Sequence, residues 1–188
     1  MTTGPSRRPR ADAQRNYRNL IAAADEAFTR DGIGASLEKI AKAAGVAIGT
    51  LYSHFSTRED LLAHLISDRM SRLTDLGQHL LDSPDPAAAL FEWLDAFGAG
   101  TATYQGLPDS VIRTLHDPHS PLFHSCEGMR TTCGALLQRA QDAGAVRTDT
   151  TAADVLAMTA ALCGAAATGG HDAHHFVAVL TAGLQEKP

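Results

Sequence analysis

The chain has 188 residues, 44% of them hydrophobic, and a formal net charge of -5. This length suits either a small module joined to a larger body or a single domain of ordinary size. Because no run of about 18 consecutive apolar residues occurs and the basic N-terminal stretch lacks the apolar segment of a signal peptide, we expect a cytoplasmic protein with no membrane partner.

The charge is unevenly distributed. Residues 1–58 carry nine basic and five acidic side chains, a net charge of +4, so the remaining residues carry -9. This asymmetry suggests a basic end that faces a polyanion and an acidic body that stays away from it. Cys126, Cys133 and Cys163 lack the short paired spacing of a zinc or redox motif, so we expect reduced thiols.

The N-terminal segment lacks apolar periodicity, and residues 1–12 are predicted to form a disordered basic arm. We consider Arg7, Arg8 and Arg10 equally as a solvated tail or as an arm for the minor groove of DNA. From about Ala13, helical spacing predicts a first helix that ends at Gly32 and Gly34. Its apolar stripe consists of Tyr17, Leu20, Ile21, Ala24 and Phe28.

Two short helices follow across a glycine. Ser36 stands where an N-cap is expected, and the apolar spacing from Leu37 to Ala44 stops at Gly45. A third helix begins directly after Val46. Two short helices across a glycine turn are typical of a helix-turn-helix, and we assign residues 13–58 to this DNA-binding domain.

The third helix fits the requirements for reading DNA. A recognition helix must be slim at its N-terminal end, where base edges are reached. The side chains predicted at that end are Ala47, Ile48, Gly49 and Thr50. Thr50 suits a base or phosphate contact, and the methyl groups of Ala47 or Ile48 suit a thymine methyl. The residues predicted to meet phosphate oxygens are Ser36, Lys39, Tyr52, His54 and Arg58.

A long helix comes next, and the remaining chain is also helical. Ser56 and Glu59 form a predicted capping box for a helix that runs to about Leu81. Asp85 then caps the following helix, with Pro86 as its first residue. Further helices are predicted at about 86–104, 109–117, 120–143, 151–168 and 172–185. Because no segment shows strand alternation, we predict an all-α fold, with residues 59–188 as a second, helical domain.

The run from Leu20 to Leu65, with Ala-Gly-Val, Gly-Thr-Leu-Tyr, His-Phe and Arg-Glu-Asp-Leu-Leu in order, resembles the N-terminal domain of TetR-family repressors. The resemblance implies a homodimer whose recognition helices enter successive major grooves of a palindromic operator in double-stranded DNA. It places Tyr52, His54 and Arg58 at phosphates. It also implies that the C-terminal helices bind a small-molecule effector and dimerise. Leu37 departs from the threonine that many family members have.

Large side chains of the body are candidates for lining an effector pocket, with plain core packing as the alternative. They are Phe91, Trp93, Phe97, Tyr104, Ile112, Leu115, Phe123 and Met129. The acidic residues Glu92, Asp95 and Asp109 would favour a cationic ligand.

The last two helices are the candidates for the dimer interface, because small residues allow close approach and an apolar stripe could pair with a second copy. The predicted interface residues are Ala153, Ala157, Ala161, Gly164, Phe176, Val177, Leu180 and Leu184. Alternatively, both helices close the core of the monomer.

Histidines 171, 174 and 175 form a cluster that suggests a metal site, and His171 and His175 are an i, i+4 pair. Asp172, however, is a good N-cap, and we expect no metal, no cofactor and no enzyme activity. The sequence as a whole predicts a repressor released from its operator by an effector, with the helix from Ser56 to Leu81 as the lever. The alternatives are an architectural DNA binder without an effector and a helical metal-binding or enzymatic protein.

Overall fold

The computed structural model describes residues 8–101 and 107–185, with the backbone alone at residues 8–11, 101, 109 and 112. In these ranges the chain forms helices and no strand, and Val146 and Gln185 make one antiparallel bridge. The all-α prediction is therefore confirmed. The helices are α1 (Arg8–Asp31), α2 (Leu37–Ala43), α3 (Ile48–His54), α4 (Arg58–Leu80), α5 (Pro86–Thr101), α6 (Asp109–Thr114), α7 (Pro121–Asp142), α8 (Ala152–Gly169) and α9 (Ala173–Leu184).

The start of α1 differs from the prediction. The helix begins at Arg8, so residues 8–12 are helical rather than part of a disordered arm. Pro9 falls in the first turn, where a missing N–H removes no intrahelical hydrogen bond, and it therefore does not stop the helix. Arg7 and the residues before it lie outside the described ranges, and of Arg8 and Arg10 only the backbone is described.

The chain divides into two compact units between Leu65 and Ile66. The division falls within α4, seven residues after the domain boundary predicted at residue 58. Unit 1 has a core of fully buried side chains from each of its helices. These include Leu20 and Phe28 of α1, Ile40 of α2, Leu51 of α3 and Leu61 of α4.

A reciprocal cap fixes the start of α4, one residue later than predicted. The backbone N–H of Thr57 donates to the Asp60 carboxylate (2.9 Å), and the Asp60 N–H donates to the Thr57 hydroxyl (3.0 Å). Ser56, the predicted cap, precedes this box and is exposed. Thr57 and Asp60 satisfy the same spacing rule as Ser56 and Glu59, and spacing alone does not separate the two registers.

Replacing Thr57 with alanine is expected to lower the free energy of unfolding by about 1 kcal/mol, because the Asp60 N–H in the first turn of α4 loses the hydroxyl that caps it. Ser56→Ala is the matched control and should change stability very little. Urea denaturation of the purified variants followed by circular dichroism measures both. Equal losses in the two variants would contradict the cap described above.

Unit 2 packs around α5, which contacts α7, α8 and α9. Trp93 of α5 is fully buried, donates from its indole nitrogen to the carbonyl of Leu73 (2.8 Å) and stacks on Phe97 with ring centroids 5.7 Å apart. Glycine at position 77 permits this packing, because a Cβ atom there would lie 2.1 Å from a methyl carbon of Thr132 and 2.9 Å from the indole nitrogen of Trp93. Three elements therefore meet closely where Trp93 is buried.

Helix α8 is mostly apolar, with Asp154 as its one charged residue. A capping box starts it, in which Thr151 and Asp154 bond each other's backbone, and Gly170 ends it in the left-handed conformation. By length and composition alone it is the one helix among the described residues that could cross a membrane. Its buried residues face α5 and α9, and much of its remaining apolar surface is exposed in a single copy of the chain.

Candidate nucleic-acid interface

A tight turn joins α2 and α3 in unit 1. Gly45 has φ of +71°, a conformation that glycine adopts without strain, and the Val46 N–H donates to the Ala41 carbonyl (3.0 Å). Ser36 caps α2 by accepting from the Lys39 N–H (3.3 Å), and its hydroxyl donates to the Glu38 carboxylate (2.9 Å). The predicted helix-turn-helix is therefore present in the structure. The hydroxyl of Ser36 is already engaged in capping.

One side of α3 is exposed. Ile48 is 37% exposed and Tyr52 is 50% exposed, and they are two of the four large hydrophobic side chains that the structure describes as exposed. The spacing of four residues places both on one face. Leu51, fully buried, holds the opposite face against unit 1. Apolar side chains on an exposed helix face suit contact with apolar groups of a partner, and thymine methyls at base edges in the DNA major groove are such groups.

The other predicted base-reading residues lie around this face. Ala47 and Gly49 are exposed, and Thr50 is half-buried, with its carbonyl accepting from the Ser53 hydroxyl (2.7 Å). Gly49 adds no bulk, and a Cβ there would meet nothing within 4 Å. The slim N-terminal end of α3 that the sequence predicts is therefore open to an incoming surface.

Basic groups near α3 differ in their availability. Lys39 is exposed on α2, and so is Lys42, which the sequence analysis did not single out although it lies one helical turn away. Arg58, in contrast, donates two hydrogen bonds to the carbonyls of Ile33 and Ala35, at 3.0 and 2.5 Å. The guanidinium thus ties the loop between α1 and α2 to the start of α4. Arg58 therefore has a structural role through one of its guanidinium nitrogens, and the phosphate contact predicted for it stays a prediction.

Four rings meet at the end of α3. The exposed ring of His54 makes an edge contact with Tyr17 of α1 (centroids 5.2 Å apart), and buried Phe55 lies beside His64 of α4 (5.3 Å). The hydroxyl of Tyr17 is 2.8 Å from Nε2 of His64. From sequence, Tyr17 is predicted to lie in a core stripe and His64 has no predicted role, because no spacing rule pairs residues that are 47 positions apart.

Two family models match the chain. The model described as bacterial regulatory proteins, tetR family, matches residues 20–65, the segment that contains α2, α3 and three of the four rings, while Tyr17 lies just before it. The model described as transcriptional regulator SbtR-like, C-terminal domain, matches residues 85–186, more than half of the chain. The chain belongs to the TetR family. TetR-family proteins are transcriptional regulators that bind DNA, and the exposed face of α3 lies in the part of this chain that matches their N-terminal model.

Individual TetR-family relatives agree with this assignment. The chain is 30% identical to the HTH-type transcriptional regulator AcrR of Shigella flexneri over 139 aligned residues. This alignment covers 72% of this chain and 60% of AcrR. The chain is 40% identical over 60 residues to the fatty acid metabolism regulator protein of Bacillus subtilis, 31% of either chain. The chain thus spans less than two thirds of the length of these two curated relatives.

Solved structures of TetR-family proteins match over almost their whole length. A TetR transcription regulatory protein from Mycobacterium vanbaalenii is 30% identical, with a TM-score of 0.68 over 94% of this chain and 99% of that one. A TetR transcriptional regulator from Streptomyces coelicolor is 28% identical, with a TM-score of 0.70 over 91% of this chain and 99% of that one.

The residues predicted to line an effector pocket of this TetR-family chain divide into three groups. Trp93, Phe97 and Met129 lie in the hydrophobic core of unit 2, so the alternative of plain core packing fits them better. Phe91, Leu115 and Phe123 are half-buried. Tyr104 lies outside the described residues, and only the backbone of Ile112 is described. Trp93, Phe97 and Met129 pack against other helices because the burial of large apolar side chains contributes most to the free energy of folding.

The predicted interface residues of α8 and α9 also divide. Ala153, Ala157 and Ala161 form an exposed row at helical spacing, while Gly164, Phe176 and Leu180 are half-buried. Val177 and Leu184 are 3% and 2% exposed within the single chain, so they belong to its core and not to an exposed surface. They lie on the inner side of α9. The apolar stripe read from the sequence did not separate the inner side from the outer side.

One acidic residue and one histidine of the body, Asp95 and His174, pair with each other. The Asp95 carboxylate of α5 lies 2.6 Å from Nδ1 of His174 in α9, and Glu92 is exposed to solvent. Asp172 caps α9 by accepting from the His174 N–H (3.0 Å), and His171 makes an edge contact with Phe176. Among the described residues, no three metal-ligating side chains come together. The preference for a cationic ligand that the acidic residues suggest stays a prediction.

The Asp95–His174 pair predicts a pH dependence. The hydrogen bond to Asp95 and then its negative charge raise the pKa of His174 above its ordinary value of 6.5. The pair therefore adds stability below pH 6.5, and this contribution is lost as the pH rises through the raised pKa. The melting temperature of wild type relative to Asp95→Asn should fall from about pH 5 to 8. Glu92→Gln is the control, and a pH-independent difference for Asp95→Asn would refute the expectation.

Proposed function

We propose that this TetR-family protein is a dimeric repressor that binds a palindromic operator through α3 and is released by a small-molecule effector. The observation that carries the proposal is the face of α3, where Ile48 and Tyr52 are exposed and Leu51 anchors the helix from behind. In this arrangement Ala47, Ile48 and Gly49 approach base edges, and Thr50 contacts a base or phosphate. Tyr52, His54 and Lys39 contact phosphates and fix the orientation of the helix.

The proposed dimer is supported by the other two exposed large hydrophobic side chains among the described residues. Met158 of α8 is 36% exposed and Val179 of α9 is 58% exposed. With the exposed alanines of α8, they are apolar side chains open to solvent on the two helices that were predicted to pair. A second copy would cover it in a four-helix interface, and the alanines would allow the helices to approach closely. Two recognition helices at half-site spacing then require a palindromic operator.

The proposed effector binds among the helices of unit 2. A groove of about 350 Å³ lies between α4 and α7, lined by Ser71, Thr74, Asp75, His124, Ser125 and Gly128. This volume is at the lower end of the range for small-molecule sites, about 300–1,000 Å³. FadR from Bacillus subtilis, which shares the fold at 18% identity, has been solved in complex with stearoyl-CoA. An effector that binds one conformation of the dimer more tightly would shift the protein away from the operator-binding state.

Selection of bound fragments from random and genomic DNA tests the proposal. Recovery of a palindrome with half-sites about one helical turn apart or a multiple of it, with affinity that falls steeply with salt, would support the repressor. The recovered operator then serves to screen small molecules for release. Weak binding without sequence enrichment would instead favour an architectural DNA binder, for which the small side chains at the tip of α3 are the supporting observation.

A further inference from the structure

The ring cluster at the end of α3 joins three helices of unit 1. Tyr17 comes from α1, His54 and Phe55 from the end of α3, and His64 from α4. Tyr17 is at its centre: its ring makes an edge contact with His54 at 5.2 Å and an interplanar angle of 64°, and it stacks on Phe55 at 6.2 Å. Both arrangements fall in the favourable range for aromatic pairs.

A hydrogen bond fixes the orientation of the central ring. The Tyr17 hydroxyl and Nε2 of His64 are 2.8 Å apart, and the pair is partly buried. A tyrosine that packs on two rings and bonds through its hydroxyl has few alternative rotamers available. The Tyr17 ring therefore offers a rigid surface to the side chain that lies against it.

That side chain is the exposed imidazole of His54, the last residue of α3. The helix has only seven residues and one buried side chain, Leu51, so its C-terminal end depends on the contacts made just beyond it. An exposed imidazole on a short helix would otherwise sample several rotamers. Contact with Tyr17 restricts it before any partner binds, which lowers the entropic cost of ordering it on binding.

We propose that Tyr17 and His64 are positioning residues for DNA binding, acting through His54. The hydroxyl–imidazole bond holds the Tyr17 ring, the ring orients His54, and His54 meets the DNA backbone. This inference rests on the proposed function, in which His54 contacts a phosphate. It extends the DNA-binding machinery to two residues that lie off the recognition helix.

A set of double-mutant cycles on the full-length protein and its selected operator tests the inference. Tyr17→Phe removes the hydroxyl and keeps the ring. We expect it to weaken operator binding about twofold to tenfold, the range of one net hydrogen bond. His64→Leu should have the same effect, and the two changes together should be no worse than either alone. His64→Gln, which keeps a hydrogen-bonding group for the hydroxyl, should restore most of the affinity.

Repeating Tyr17→Phe in a protein that already carries His54→Ala separates a positioning role of Tyr17 from simple destabilisation of the fold. There Tyr17→Phe should cause no further loss, because the group through which it acts is gone. His79→Leu, an exposed histidine elsewhere on α4, is the matched control and should bind as wild type does. Melting temperatures and circular dichroism of each variant check that it is folded.

The outcomes keep this inference distinct from the proposed function. If wild type selects an operator and His54→Ala weakens binding, but Tyr17→Phe binds as wild type or loses equally in both backgrounds, the positioning role is overturned and the DNA-binding proposal stands. If His54→Ala binds as wild type does, the positioning role is also overturned. If wild type selects no operator, the proposed function fails and this inference fails with it.

Discussion

Replacing Ala161 with glutamate is expected to convert the proposed dimer into a monomer and to weaken operator binding by a factor of about 10² to 10⁴. Ala161 lies in the exposed row of alanines on α8, beside exposed Met158. In the proposed dimer the introduced glutamate would lie against an apolar helix of the second copy. Burial of its charged carboxylate there, without a partner, is strongly unfavourable. A monomer carries a single recognition helix, so it loses the gain in affinity that comes from binding two linked half-sites at once.

Sedimentation of the protein and titration of the selected operator measure the two effects of this substitution. Ala88→Glu places the same charge on an exposed alanine of α5, close to the cap of that helix, and should leave both the dimer and the affinity intact. Circular dichroism should show a folded α-helical protein for both variants. A dimeric Ala161→Glu protein with wild-type affinity would show that this face of α8 is not the interface.

The largest expected loss of stability comes from Trp93→Ala, about 3–5 kcal/mol in the free energy of unfolding. Trp93 is fully buried, stacks on Phe97 and donates to the carbonyl of Leu73. Truncation would leave a large cavity in unit 2, because the surrounding helices can close around it only in part. Trp93→Phe keeps an aromatic ring and loses the indole donor, so a smaller loss of about 1–2 kcal/mol is expected.

Urea denaturation at a fixed protein concentration measures these losses, since the stability of an oligomer depends on concentration. Trp93 is the single tryptophan of the chain, so circular dichroism must replace intrinsic tryptophan fluorescence as the signal. Phe91→Ala, a half-buried aromatic on the same helix, is the matched control and should cost clearly less. If both variants lose the same stability, Trp93 is not the centre of the core of unit 2.

Local patterns predicted most of the fold. Helical periodicity and stop signals located the helices, and Asp85 caps α5 as predicted, with its carboxylate accepting from the Ala88 N–H at 2.9 Å. Errors arose where two registers satisfied the same local rule, as with Ser56 and Thr57 at the start of α4. The early start of α1 was missed because an arginine-rich segment with a proline has the composition of a disordered tail, although proline is compatible with the first turn of a helix.

The candidate site was predicted only as far as spacing along one helix allows. The exposed face of α3 follows from its pattern, because Leu51 is the residue that must turn inward. The role of Arg58 and the pairing of Tyr17 with His64 are contacts between elements that are far apart in sequence, and a single sequence does not encode which carbonyl or ring a side chain will meet. In the same way, the apolar stripe of α9 did not distinguish Val177, which faces the core, from Phe176 and Leu180, which are only half-buried.

The attachment of α3 through Leu51 and the turn before it has an evolutionary consequence. In the proposed function Ala47, Ile48 and Gly49 face base edges and make little contribution to the buried core, so substitutions there are expected to change which bases are contacted with little change in stability. After gene duplication, such a chain could acquire a new target site by single steps, each giving a folded protein. The same freedom makes these three positions the natural set to randomise when a regulator with a chosen target is wanted.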